Sequence, residues 1–149
     1  MFSKKGFPLQ SILKFKSNAV DTLEAEFGHL KVAHKNRVDT LQNLQQVKNQ
    51  EMVVLQQLQQ NDALDCGAIQ RQQQYIKSIR TKIIQQVTLV EEVQLQLESK
   101  RQELAETMQD QKTLENLRDR YQTNQSQVMH RRETRTIDEL VITRYGRER

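Results

Sequence analysis

Apolar residues recur through the first 60 positions at spacings of three and four: Leu9, Ile12, Leu13, Val20, Leu23, Phe27, Leu30, Val38, Leu41, Leu44, Met52, Leu55 and Leu58. That spacing keeps one face of a 3.6-residue helix apolar and predicts a long amphipathic helix. It opens at Pro8, whose fixed φ and missing N–H suit a first turn, and runs to about Gln60. The pattern then breaks at Asn61-Asp62-Ala63-Leu64-Asp65-Cys66-Gly67, where turn-favouring Asn, Asp and Gly cluster. Asp65 is placed to cap a second helix. Beyond it Ile69, Ile76, Ile83, Val90, Leu97 and Leu104 fall every seven residues, with Ile79, Val93, Leu114, Tyr121 and Val128 on the companion position. A heptad held this long specifies supercoiling against another helix. After Leu104 the apolar phase shifts towards Met108 and Leu117, the mark of altered winding or of the partner helix ending.

Two long stripes joined by a short turn meet at high effective concentration, so pairing within one chain outcompetes pairing between chains. The expected fold is all-α: a single antiparallel two-helix coiled coil, a helical hairpin that is monomeric when alone. Its first helix covers about 8–60, its turn about 61–67 and its second helix about 68–140. With that turn, Leu9 lies opposite the neighbourhood of residue 120. The remainder overhangs and carries Ile137, Leu140, Val141, Ile142 and Tyr145, the composition of an interaction tail.

Some positions admit two readings. His34, Arg37, Lys48 and Glu51 occupy strict heptad positions of the first helix, where polar groups would fix register at a cost in stability. The favoured alternative has the seam drift to Val38, Val47 and Met52 and leaves those four solvated. Gly28 marks either a hinge or close approach, or a tolerated exposed site; the latter is favoured. The run Gln70, Gln72, Gln73 and Gln74 reads as a solvated helix face.

Composition narrows the picture. Tryptophan is absent, aromatics are 5%, and there are four glycines and one proline against 23 glutamines, which suits long wet helices rather than a broad core. The net charge of +4 is concentrated at the ends: Lys4, Lys5, Lys14 and Lys16 at the start, and six arginines against four acids over residues 130–149. The middle is slightly acidic. A basic zipper needs a continuous basic helix, and Gly6 and Pro8 interrupt this one, so nucleic acid is not an expected partner. The start, with Phe2, Phe7, Leu9, Ile12, Leu13 and Phe15 among its lysines, would either lie on an anionic membrane or form the first seam turns with a basic rim.

Nothing suggests catalysis. There is no P-loop, no glycine-rich dinucleotide turn, no H-E-x-x-H and no paired cysteine spacing. His29 and His34 are five apart and do not share a face, and His130 stands alone, so no metal or other cofactor is expected. Cys66 reads as an incidental thiol. No apolar run reaches membrane-spanning or signal-peptide length, and a cytoplasmic location follows as an expectation.

The termini resemble a known family. Phe7-Pro8-Leu9-Gln10-Ser11-Ile12-Leu13 is similar to the F-x-L-Q-x-V/I-L opening of the flagellar export protein FliJ. Arg131-Arg132-Glu133 followed by Ile137-Asp138-Glu139-Leu140 and Arg144-Tyr145 resembles that family's basic, acid-punctuated end. The likeness spans nearly the whole chain. The glutamine content and Pro8 depart from a more Glu- and Lys-rich pattern. What the resemblance implies is a non-enzymatic, stalk-like subunit, akin also to the YscO-type proteins of virulence type III secretion. The hairpin ends would dock into a hexameric export ATPase. The shaft would meet the membrane export gate, export chaperones would be handled, and the membrane would be approached only through partners. Phe7, Leu9, Ile12, Leu13, Arg131, Arg132, Arg135, Ile137, Asp138, Glu139, Leu140, Arg144 and Tyr145 are the implied partner-binding residues. A different class of function, a scaffolding coiled coil self-associating through the overhang, is the alternative.

Overall fold

The computed structural model describes residues 6–147. Phe2, Lys4 and Lys5 of the basic start, and Glu148 and Arg149 of the basic end, lie outside the described residues. Two helices account for almost all of the described chain, α1 (Gln10–Gln60) and α2 (Cys66–Arg147). They form an antiparallel helical hairpin. α1 starts two residues after Pro8, and α2 runs seven residues past its expected end at 140.

The reversal takes only residues 61–65. Asp65 caps α2: its Oδ1 accepts the Ala68 N–H at 3.1 Å, satisfying one of the first-turn donors that a helix leaves unpaired. Gly67 makes room for this, since a Cβ there would stand 3.3 Å from that oxygen.

The chain divides into two compact units, Met1–Thr22 with Leu104–Arg149 and Leu23–Glu103. In the second unit the cross-helix partners run Glu26 with Lys100, Arg37 with Gln86 and Glu51 with Gln72, falling on α2 as they rise on α1. In the first, Ser17 pairs with Gln111 and Lys16 with Asp110. With Phe7 against Tyr121 in the same unit, both sets are antiparallel.

Burial follows strict heptads on both helices. On α1 the inward positions are Leu13, Val20, Phe27, His34, Leu41, Lys48 and Leu55, together with Lys16, Leu23, Leu30, Arg37, Leu44, Glu51 and Leu58; every one is buried or half-buried. On α2 they run every seventh residue from Ile69 to Arg118 and from Gln72 to Tyr121, again without an exception. Leu13, Val20, Leu23, Ile76, Ile79 and Val93 form the buried core.

Three expectations are corrected here. The α1 seam does not drift, because Met52 is exposed while His34, Arg37, Lys48 and Glu51 are half-buried; Val38 and Val47 only flank the seam. The α2 phase does not slip after Leu104, because Met108 and Leu117 are exposed and the heptad continues through Gln111, Leu114, Arg118 and Tyr121. Gln72 belongs to the seam rather than to a solvated face. The reason is common to all three. A supercoil changes phase only where residues are inserted or lost, and long polar side chains can lay their methylenes in a seam while their heads find partners.

Those partners are visible. Gln72 Nε2 donates to Glu51 Oε2 at 2.6 Å and to the Glu51 carbonyl at 3.0 Å. Gln86 Nε2 donates to the Arg37 carbonyl at 2.9 Å, and the Arg37 guanidinium donates to the Leu89 carbonyl at 2.8 Å. Such layers fix register, since a slip of one heptad would leave Gln72 and Gln86 facing leucines. The double variant Glu51→Leu/Gln72→Leu is expected to melt higher, by about 1–4 kcal/mol of added stability if it behaves as other polar-to-apolar core replacements do. Its cost is specificity: cross-linked pairs from more than one register should appear by mass spectrometry.

Ion pairs decorate the rim of the second unit. The Lys100 ammonium lies 2.7 Å from Glu26 and 3.5 Å from Glu103. Its hydrogen bond to Glu26 raises its pKa above the ordinary 10.5, with burial opposing. Arg101 grips both oxygens of Glu98, at 2.6 and 3.0 Å, and that hydrogen bonding holds the carboxyl below its ordinary 4.5. The Lys100 contribution is therefore lost only as pH rises beyond about 10.5. The Glu98 contribution is lost only as pH falls below about 4.5, so both persist at neutrality.

Gly28 is exposed, and a Cβ there would touch nothing within 4 Å. With no close approach to preserve, Gly28→Ala should gain roughly 1 kcal/mol of helix propensity and raise the melting temperature by about 2–4 °C.

Candidate functional site: the single-helix end of α2

The start of α1 settles against α2 before the helix proper begins. The Phe7 carbonyl accepts the Gln10 N–H at 3.0 Å and the Leu9 carbonyl accepts the Leu13 N–H at 2.9 Å. The Phe7 ring meets Tyr121 with centroids 5.7 Å apart and planes tilted by 54°, within the range in which aromatic edges and faces attract. Leu9 is half-buried, Leu13 is buried at 3% exposure, and Ile12 and Phe15 point outward. The described part of the amphipathic start thus gives Phe7, Leu9 and Leu13 to the helix pair and leaves Ile12 and Phe15 to solvent.

Past Tyr121, α2 continues alone. Every residue from 122 to 146 is exposed, Val128 included. Nothing in the segment breaks the helix: it has no proline, and its only glycine is Gly146. Its threonine hydroxyls turn back onto the helix: Thr123, Thr134, Thr136 and Thr143 each donate to the carbonyl four residues earlier, at 2.7 to 2.9 Å. The outward chemistry is left to charge and hydrocarbon. Arg131, Arg132, Arg135 and Arg144 stand beside Glu133, Asp138 and Glu139, and Ile137, Leu140, Val141, Ile142 and Tyr145 are 47–72% exposed.

The two groups of candidate residues do not form one cluster. Phe7 marks the base of the extension. With a rise of 1.5 Å per residue, Arg131 lies about 15 Å and Tyr145 about 36 Å further along the helix. Hydropathy could not reveal the polar ties near that base, the Lys16–Asp110 ion pair at 3.1 Å and the Gln111–Ser17 hydrogen bond at 2.9 Å, because polar residues at seam positions carry no apolar signal.

Fold and exposed end together define a coiled-coil protein, a helical hairpin that continues as one amphipathic helix. The chain belongs to the flagellar FliJ protein family, whose model matches residues 4–149. It is accordingly an accessory protein of flagellar export, from a family that is non-catalytic. No curated protein and no solved structure gave a match. Among the described residues no helix is long and apolar enough to cross a membrane.

Proposed function

We propose that this protein is a stalk-like subunit of the flagellar export apparatus that engages the hexameric export ATPase through the start of α1 and the single-helix end of α2. The paired shaft meets the export gate and export chaperones, and the protein works at the cytoplasmic side of the inner membrane, held there through its partners. The observation that carries this reading is the unpacked end of α2, where five large apolar side chains lie exposed among arginines. A soluble monomer seldom keeps such hydrocarbon in water unless something binds it. Arginine steers the encounter while apolar contact supplies affinity. The family supports the flagellar setting.

The test is a pull-down and ATP-hydrolysis assay with the export ATPase of the same genome. The full chain should bind and raise the rate, and a chain lacking residues 130–149 should do neither. An unchanged response after that deletion would remove the proposed role of the end.

A further inference from the structure

Past Tyr121, α2 is a helix that only its own backbone holds. Helices of moderate length are marginal in water by themselves, and in proteins most of their stability comes from a packed apolar face. The segment 122–146 packs no such face, because every residue in it is exposed. Local interactions do not replace the packing. Among the described residues, none from 122 to 146 makes an ion pair, and Arg131 and Arg135, four apart with like charge, disfavour the helix. Eight of these 25 residues are Thr, Val or Ile, whose branched side chains lose rotamer freedom against the preceding turn. Apart from a bond of 2.8 Å from Gln125 Nε2 to the Tyr121 hydroxyl, the side-chain hydrogen bonds here are the threonine bonds to carbonyls four residues back. Those slightly weaken a helix rather than brace it.

We infer that residues 122–146 are a helix–coil switch, which in the free protein passes between the helix and an open chain. The paired part of α2 supplies the helical nucleus, so opening runs from the free end back towards Tyr121 rather than starting inside the segment. It stops there, because the Tyr121 ring is held against Phe7 with centroids 5.7 Å apart. A binder of the helical form must order the segment as it binds, which lowers affinity for a given contact area and eases release. The inference concerns the free chain and holds whichever partner the end engages.

Amide hydrogen exchange of the full chain, read by mass spectrometry, tests this without any partner. Peptides from 123–143 should exchange within about tenfold of an unstructured chain, and peptides from 73–98 should be more than about a hundredfold slower, because exchange follows the free energy of local opening. A second measurement uses Thr134→Ala/Thr136→Ala/Thr143→Ala, at three exposed positions. Propensity alone should then raise the protection of 123–143 by about threefold or more, with 73–98 unchanged. Protection of 123–143 equal to that of 73–98 would overturn the inference, as would no response to the alanines. Protection that rises with protein concentration would also overturn it, since copies of the chain would then be packing on the segment.

Discussion

Ile79→Ala is expected to lower the melting temperature by about 4–20 °C, while Ile84→Ala, five residues further along the same helix, moves it by no more than about 2 °C. The two isoleucines differ only in which way they point: Ile79 is 3% exposed and Ile84 is 69% exposed. Truncating a buried isoleucine removes its transfer free energy and leaves a cavity, together about 2–5 kcal/mol. For a chain of this size each kcal/mol corresponds to about 2–4 °C. The core of a two-helix seam is one side chain deep, so few neighbours can close the gap. Ile84→Ala loses hydrocarbon already in water and gains helix propensity, which together come to within about 0.5 kcal/mol of zero. Thermal melts followed at 222 nm read both. Equal shifts would contradict the register that buries Ile79 and exposes Ile84.

The second large effect concerns charge. Arg131→Ala/Arg132→Ala/Arg135→Ala should slow association with the export ATPase by roughly tenfold at low ionic strength and much less at high salt, because exposed charges steer encounter and are screened beyond about 10 Å at 0.1 M salt. The dissociation rate should change little. All three are exposed and sit on a helix with no packed neighbour, so melting should be unaffected. Stopped-flow association at two salt concentrations measures this. A loss of affinity expressed in dissociation, and insensitive to salt, would show that these arginines make desolvated contacts instead.

Much of the fold is legible because apolar residues and turn residues say the same thing. Ile69 to Leu104 repeat every seven residues, and the core residues Ile76, Ile79 and Val93 all lie on that repeat or its companion. Asn61 to Asp65 mark the reversal, and the Asp65 cap is formed by the side chain expected to form it. Legibility fails where hydropathy and register disagree. Met52, Met108 and Leu117 draw the eye away from the seam, yet the backbone carries the register past them and leaves them exposed. Glu51, Gln72, Arg37 and Gln86 look like surface residues until their cross-helix hydrogen bonds are seen. The overhang was readable from the shortness of the first helix.

The claim beneath all of this is that α1 and α2 zip antiparallel within one molecule. Zero-length carbodiimide coupling tests it directly, since it joins only amines and carboxylates already in contact. It is best run on an equal mixture of unlabelled and ¹⁵N-labelled chains. The account predicts Lys100–Glu26 and Lys16–Asp110 linkages whose two peptides always share one isotope. Linked peptides of mixed isotope, or a Lys100 joined only to acids of its own helix, would contradict it.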